Sequence, residues 1–381
     1  MKRILINCAE THTLTALTEE GRLVELFIDG ASDSDGSWVG RIIVGRIKTI
    51  LPGQFAFVDI GAKKNAFINL KKGHGLKAGQ AILVQVEKDA VGTKGMCVTL
   101  QISLKGRLVV LQESAQPTVG ISRKIEDEKE ARRLRKIANK LLPKGYCAII
   151  RTNAKNQTTE AIAEEMEALH ELHKKIVARS EFALPPKTLH STTFPGLLPD
   201  LLSDDLEEIC IQAEDEKFAL MKSAVLDILP CLENKISRQI FSLQKQIREA
   251  LKKEVSLPCG GTITIEQTEA CVVIDVNTAS NVGKINYSET VLETNLQAAA
   301  VLAAQMRLRN LSGIIIVDFI DMSSQADKDT LLNTLEAEIK KDRIKTEIIG
   351  FMGLGMLQMT RQKMRPPIAE LVGKFNDILA P

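Results

Sequence analysis

Ala270-Cys271-Val272-Val273-Ile274-Asp275-Val276-Asn277 and Gly313-Ile314-Ile315-Ile316-Val317-Asp318-Phe319-Ile320-Asp321 are two apolar runs of the same shape, each reaching an acid at its end. Between them, Ser288 to Asn310 is rich in Ala, Leu, Gln and Met. Its apolar residues recur at three- and four-residue spacing, the period of a helix packed on one face. Strand, helix and strand in that order predict a βαβ unit with a right-handed crossover and parallel strands. Asp275 and Asp318 then sit at the carboxyl ends of parallel strands, where α/β sheets place their ligand sites. On neighbouring strands the two carboxylates come close enough to repel unless a cation joins them. Strand alternation puts Asn277 on the face of Asp275, where its amide can orient the carboxylate. All-oxygen donors of this kind suit Mg²⁺ or Mn²⁺. A single acid after a strand commonly caps the next helix, and Asp321, just before Ser323, reads that way. For the matched pair, capping and metal binding both stand as readings of the residues.

The chain has 381 residues, enough for two or more domains with their own cores. Its 44% hydrophobic and 26% charged content is that of a soluble globular protein. No apolar run approaches the ~18 residues a membrane helix needs. Met1-Lys2-Arg3 is followed only by Ile4-Leu5-Ile6 before Asn7, so no signal peptide is expected. The seven cysteines are scattered and never form CxxC. That predicts reduced thiols in a cytoplasmic protein and speaks against a zinc ribbon. A net charge of +2 implies no nucleic-acid partner by itself, so any such case rests on local patches.

Outward from the central stretch, the chain reads as mixed α/β with several domains. Arg3–Cys8, Thr13–Leu17 and Leu23–Ile28 are strand-like but too few for a domain, so they should pair with a later segment. Residues 30–36 read as a linker. Between Trp38 and Leu104, five short strands are predicted: Val39–Ile47, Ala56–Asp59, Ala66–Ile68, Ala81–Val86 and Met96–Leu100. That number and spacing fit a small closed barrel of the OB type. Phe55, Phe57 and Phe67 cluster there beside Lys63-Lys64 and Lys71-Lys72, in a chain with only 4% aromatics. They form either a base-stacking face with a phosphate-binding rim or part of the barrel core.

A charged helix is predicted from Glu126 to Leu142. Residues 123–140 carry eight Lys/Arg against four Asp/Glu, which reads as a solvated helix face. Tyr146–Ile150 is a strand ending in Arg151-Thr152, a pair that clamps phosphate in some proteins and is merely structural in others. Thr158–Ser180 is helical. Pro185-Pro186 and Pro195 mark a boundary, after which helix and strand alternate over Leu197–Asp204, Glu207–Gln212 and Asp215–Ile228. A helix over Ile240–Lys253 leads into a hairpin from Thr262 to Asp275. A helix over Ser324–Asp342, a strand over Thr346–Ile349 and a Gly-rich turn at 350–355 follow Asp318.

Several motifs then coincide: MKRILIN at 1–7, PGQFAFVDIG at 52–61, GTKG at 92–95, VGISRKIE at 119–126 and IIRT at 149–152. Further on stand IDVNT at 274–278, RLRNLSGIIIVDFIDM at 307–322, KDRIKT at 341–346 and MTRQK at 359–363. In this order, over nearly the whole chain, they resemble the ribonuclease E/G family of bacterial single-strand-specific endoribonucleases. KDRIKT followed by a Gly-Phe turn looks closer to the ribonuclease G branch.

The resemblance implies an Mg²⁺-dependent endoribonuclease acting on single-stranded RNA in rRNA maturation or mRNA decay. Asp275 and Asp318 match the Mg²⁺-binding catalytic aspartates, and Asn277 the residue that positions them. Phe57, Phe67 and Lys94 match RNA contacts on an OB-fold barrel of the S-one type. Arg151 and Thr152, with Gly106 and Val110, match a pocket that senses a 5′-monophosphate. The implied architecture is an RNase H-like subdomain split between residues 1–36 and 197–250. The barrel at 37–104 and a 5′-sensor at 105–196 interrupt it, and a deoxyribonuclease-I-like catalytic subdomain covers 251–381. With no CxxC in the chain, zinc is not expected, and a homodimer would lack the family's zinc link. Gln358 stands where relatives often carry Glu, and the Lys71–Lys77 loop is short. The rival reading is an RNA-binding protein whose catalytic site is weakened or inactive.

Overall fold

The structure, a computed structural model, describes the chain except residues 31–36, 53, 71–74, 91–94, 192–197, 203–204, 229, 279–286 and 380–381. It forms two compact units, Met1–Thr13 with Asp29–Gln239 and Leu14–Ile28 with Ile240–Pro381. The first strands are β1 (Lys2–Cys8), β2 (His12–Glu19) and β3 (Arg22–Gly30). β1 lies in the first unit, and most of the β2–β3 hairpin in the second.

The barrel of the first unit comprises β4 (Ile42–Leu51), β5 (Phe55–Asp59), β6 (Ala66–Asn69), β7 (Ala81–Lys88) and β8 (Cys97–Thr99). The strand order β4-β5-β6-β8-β7 closes because β4 also pairs with β7. β4 meets β7 through Ile42–Arg46 and β5 through Arg46–Leu51, so it must bend near its middle. Gly45 sits at that bend, where a methyl group would come 2.7 Å from Val58 Cγ1 and 2.9 Å from the Asp59 carbonyl. Inward positions alternate along the strands and fill the interior with Ile43, Ile47, Ala56, Val58, Ile68, Val84 and Val98. The strand predicted from Val39 starts at Ile42 instead. Trp38–Arg41 turns, with the Arg41 N–H donating to the Trp38 carbonyl at 3.0 Å.

Next come β9 (Ser103–Lys105), β10 (Val109–Glu113), β11 (Val119–Ile121), α1 (Glu128–Leu141), β12 (Tyr146–Ile150), α2 (Thr159–Ser180) and β13 (Lys187–His190). The sheet order is β11-β12-β10-β9. α1 contributes Leu134 and Ala138 to its core, and α2 contributes Ile162, Met166, Leu169 and Ile176. Both helices start on good caps: Asp127 accepts the Lys129 N–H at 2.9 Å, and Thr158 accepts the Ala161 N–H at 3.2 Å. The first unit ends with α3 (Leu198–Leu201), β14 (Leu206–Gln212), α4 (Asp215–Ile228) and β15 (Ile236–Arg238). β1 runs parallel to β14, and β14 to β15, so the first strand finds its expected late partner.

The second unit continues with α5 (Gln244–Ala250), β16 (Glu254–Ser256), β17 (Thr262–Gln267), β18 (Cys271–Asn277), α6 (Tyr287–Arg309), β19 (Gly313–Asp318), α7 (Gln325–Ile339), β20 (Thr346–Phe351), β21 (Leu357–Arg361) and α8 (Ile368–Lys374). The predicted Ile240–Lys253 helix shrinks to α5, whose last turn closes when the Leu251 N–H reaches the Ile247 carbonyl at 3.1 Å. The six-stranded sheet has the order β16-β17-β18-β19-β21-β20, with β18 and β19 parallel as the βαβ pattern predicts. α6 and α7 cover one face, where Ile263, Ile274, Ile315, Val317 and Leu357 pack with Ala298, Leu302, Leu331 and Leu335. The alternate residues Val273, Asp275, Asn277, Ile314 and Asp318 are exposed on the other face. The cap of α7 is Ser324, whose hydroxyl accepts the Asp327 N–H at 3.4 Å, not the Asp321 expected from the sequence.

Candidate active site

Asp275 and Asp318 are direct partners in the parallel β18–β19 ladder. Adjacent strands lie about 4.8 Å apart, so both carboxylates rise side by side from the open face. The Asn277 amide donates to Asp275 Oδ2 at 2.7 Å, fixing that side chain as strand alternation predicts. Across the β17–β18 pair, Thr264 faces Asp275 and Thr262 faces Asn277, so two hydroxyls border the acids. The loop leaving Asp318 is clamped from below. Asn295 of α6, fully buried, donates to the Ile320 carbonyl at 2.8 Å and accepts the Ile320 N–H at 3.1 Å. Its amide thus satisfies two backbone groups that would otherwise be left unpaired at a strand end.

On the barrel, Phe57 and Phe67 are opposite partners in the β5–β6 ladder. Phe57 is 37% exposed and Phe55 and Phe67 are half-buried, so none of the three belongs to the core. Phe67 joins both neighbours, at 5.2 Å from Phe55 and 6.3 Å edge-on from Phe57. The result is a three-ring surface, and Phe55 belongs to it as fully as the other two. Lys94 falls outside the described residues.

In the first unit's other sheet, Arg151 and Thr152 follow directly on β12. The Arg151 guanidinium donates to the Gly106 carbonyl at 2.6 Å, and its backbone N–H donates to the Leu108 carbonyl at 2.8 Å. The Thr152 hydroxyl lies 3.0 Å from that of Ser122. Val110 sits one strand over, paired with Ile149 and Lys105. Two pairs distant in sequence, Gly106 with Val110 and Arg151 with Thr152, are therefore brought to one end of the β10–β12 pair and its β9–β10 turn.

Residues 103–364 match the model of the ribonuclease E/G family. Ribonuclease G of Haemophilus influenzae is 34% identical over 97% of this chain and 81% of its own length. The chain belongs to the ribonuclease E/G family. Ribonuclease G of Escherichia coli is 32% identical over the same shares of the two chains. Ribonuclease E of a Nostoc strain is 34% identical over 98% of this chain and 57% of that longer protein.

For a ribonuclease E/G family member, the structure also brings forward residues the sequence left in the background. Ser122 lies in the VGISRKIE motif, and only the fold shows it meeting Thr152. Asn295 carried no signal in a helix read as amphipathic. Glu165 was equally silent, although an acid beside Ile162, Met166 and Leu169 interrupts the buried stripe of α2. Among the described residues no helix is long and apolar enough to cross a membrane.

Proposed function

We propose that this chain, an endoribonuclease of the ribonuclease E/G family, hydrolyses phosphodiester bonds in single-stranded RNA with Mg²⁺, or with Mn²⁺ in its place, and favours a 5′-monophosphate end. The observation that carries the reading is the direct register of Asp275 with Asp318 on an open sheet face, with Asn277 bonded to Asp275. Two carboxylates and a neighbouring carboxamide make a donor set of hard oxygens, which fits Mg²⁺. A bound divalent ion would supply an activated water and offset charge building on the phosphate. Asp275 and Asp318 would hold that ion, Asn277 would fix the Asp275 carboxylate, and Asn295 would steady the backbone just beyond Asp318.

Phe57, Phe67 and Lys94 would hold the strand. Bases stack on exposed rings with little regard for sequence, as suits an enzyme acting on many RNAs. Alanine at Phe57 or Phe67 is expected to weaken binding of a short single strand by ~1–3 kcal/mol, read as fluorescence anisotropy at fixed salt. Phe55→Ala is expected to cost less than Phe57→Ala, because the Phe55 ring is half-buried and Phe57 is exposed. Arg151 and Thr152, with Gly106 and Val110, would receive the 5′-monophosphate through a charge-assisted fork.

The subdomains that accompany this reading are an RNase H-like piece at 1–36 and 197–250, a barrel at 37–104, a sensor at 105–196 and a deoxyribonuclease-I-like piece at 251–381. The parallel β1–β14 pairing supports joining the two parts of the first. RNA processing and turnover in the cytoplasm, by a homodimer, is the setting that family membership implies. One A/U-rich single strand bearing a 5′-monophosphate or a 5′-triphosphate, incubated with Mg²⁺ or EDTA, tests the proposal. Internal cleavage in Mg²⁺ alone, faster on the monophosphate, is the expected result. Tight retention of RNA with no Mg²⁺-dependent cleavage would make it an RNA-binding protein with an inactive site.

A further inference from the structure

Glu165 is an acid on the buried stripe of α2, and its carboxylate is spent on the turn between β9 and β10. Its Oε1 accepts the Leu108 N–H at 2.6 Å and the Val109 N–H at 2.8 Å. Burial pushes its carboxyl up, while the amides of Leu108, Val109 and Arg107 and the Arg107 charge oppose that. The turn has no room to spare. A methyl group at Gly106 would lie 2.3 Å from Glu165 Oε1, so only glycine admits the carboxylate at this approach. The other side of the same turn is what Arg151 grips, through the Gly106 carbonyl at 2.6 Å and the Leu108 carbonyl at 2.8 Å.

We propose that Glu165 is a positioning residue for the 5′-phosphate pocket: it pins the Gly106–Val109 turn, and the turn in turn sets the orientation of the Arg151 guanidinium. The inference rests on the 5′-sensing role proposed for Arg151. Gly106 donates its N–H to Val109 and its carbonyl accepts from Arg151, so any relaxation of the turn moves the acceptor that aims the guanidinium. With Glu165 gone, two amides at a tight turn lose their acceptor, and the turn must shift to find another. A guanidinium forms a two-bond fork with phosphate only in a narrow geometry, so a shift of about 1 Å is enough to lose it. Such a loss falls on substrates with a 5′-phosphate and has no counterpart for a 5′-hydroxyl end.

The test uses the full chain and one RNA sequence with a 5′-monophosphate or a 5′-hydroxyl, and reads KM and kcat for each. Glu165→Met fills the same space on an apolar stripe without an acceptor, and Glu165→Gln keeps an acceptor oxygen. Glu165→Met is expected to cut the monophosphate-to-hydroxyl ratio of kcat/KM at least tenfold, mainly through the KM of the monophosphorylated strand. Glu165→Gln should restore most of the ratio, which a role in packing alone would not predict. An unchanged ratio in Glu165→Met overturns the inference. So does a raised ratio, which would mean that the carboxylate competes with phosphate for the turn. If Glu165→Met does not fold, Glu165→Ala at lower temperature gives the same readout. Arg151→Ala separates the two ideas. If it abolishes the preference while Glu165→Met keeps it, only Glu165 is misassigned. If the wild type shows no preference, the sensing role and this inference fall together.

Discussion

Asp318→Asn is expected to lower kcat for cleavage of single-stranded RNA by about 10³-fold, roughly 4 kcal/mol of transition-state stabilisation, while leaving the Kd for the strand within about twofold. The substitution is isosteric and the side chain is exposed, so the β18–β19 ladder has no reason to change. What changes is charge. One of the two adjacent carboxylates proposed to hold the ion becomes neutral, and the pair would hold a divalent ion far less well. RNA affinity is spared because the proposed strand contacts lie on other residues, Phe57 and Phe67 on the barrel and Arg151 on β12's end. Single-turnover cleavage across an Mg²⁺ titration, alongside anisotropy with catalysis blocked in EDTA, separates the two quantities. Part of the loss should return at high Mg²⁺, since weakened affinity is the cause. A loss under tenfold at saturating RNA would show that Asp318 is no ligand. A loss carried by RNA affinity would give it a substrate-binding role instead.

The placement of Asp318 beside Asp275 was legible because every step to it is local or periodic. Apolar runs of strand length flank a helical period, a right-handed crossover makes the strands parallel, and alternation places Asn277 beside Asp275. Each rule acts within one βαβ unit, so the sequence holds all the information it needs. The same stretch shows where that stops. Asp321 was expected as a cap, but Ser324 takes the position, because several small polar residues in a row compete and the loop path decides among them. Asn295 lies in the helix of that unit, yet its partner is the backbone at Ile320, which no side-chain pattern announces.

Elsewhere the limit is non-local pairing. Five strands predicted a barrel, but its closure depends on β4 bending at Gly45 to serve two neighbours. The three phenylalanines were open between core and surface because alternation says which residues share a face, not which face is inside. Barrel closure decides it: Ala56, Val58, Ala66 and Ile68 point inward, leaving Phe55, Phe57 and Phe67 outside. Glu165 illustrates a third case. An acid on an apolar stripe reads as a defect until the amides of a turn 56 residues away from it, at Val109, are found bonded to it.

Asp342→Ala is expected to destabilise the second unit by about 3–5 kcal/mol, lowering its melting temperature by on the order of 10 °C. The reason lies in three of the family motifs, which form a scaffold distinct from the acids. Arg361 of MTRQK is 3% exposed, and its Nε donates to Asp342 of KDRIKT at 2.7 Å. Its Nη1 donates to the Asn310 side chain of RLRNL at 3.0 Å and to the Leu311 carbonyl at 2.8 Å. Asn310, at a positive φ of 52 just past α6, passes the connection on to the Arg365 and Pro366 carbonyls at 2.7 and 2.9 Å. Asp342 also accepts the Ile344 N–H at 2.9 Å, turning the chain from α7 toward β20. This network joins the α6–β19 connection to the α7–β20 connection at the start of β19, the end of that strand opposite Asp318.

Removing the carboxylate strands a buried guanidinium, which costs far more than the net worth of the pair. Asp342→Asn keeps an acceptor for Arg361 and should lose less than half as much. Calorimetry of the two variants checks the order and the size. A shift of under about 2 °C for Asp342→Ala would mean that water or another acceptor replaces the carboxylate. Asp318→Asn is the opposite case. That substitution should cut cleavage by about 10³-fold at an unchanged melting temperature. Asp342→Ala, in a motif equally diagnostic of the family, should do the reverse at temperatures where the unit stays folded. Motifs identify the family, but burial and bonding decide which of their residues do chemistry and which hold the sheet that presents it.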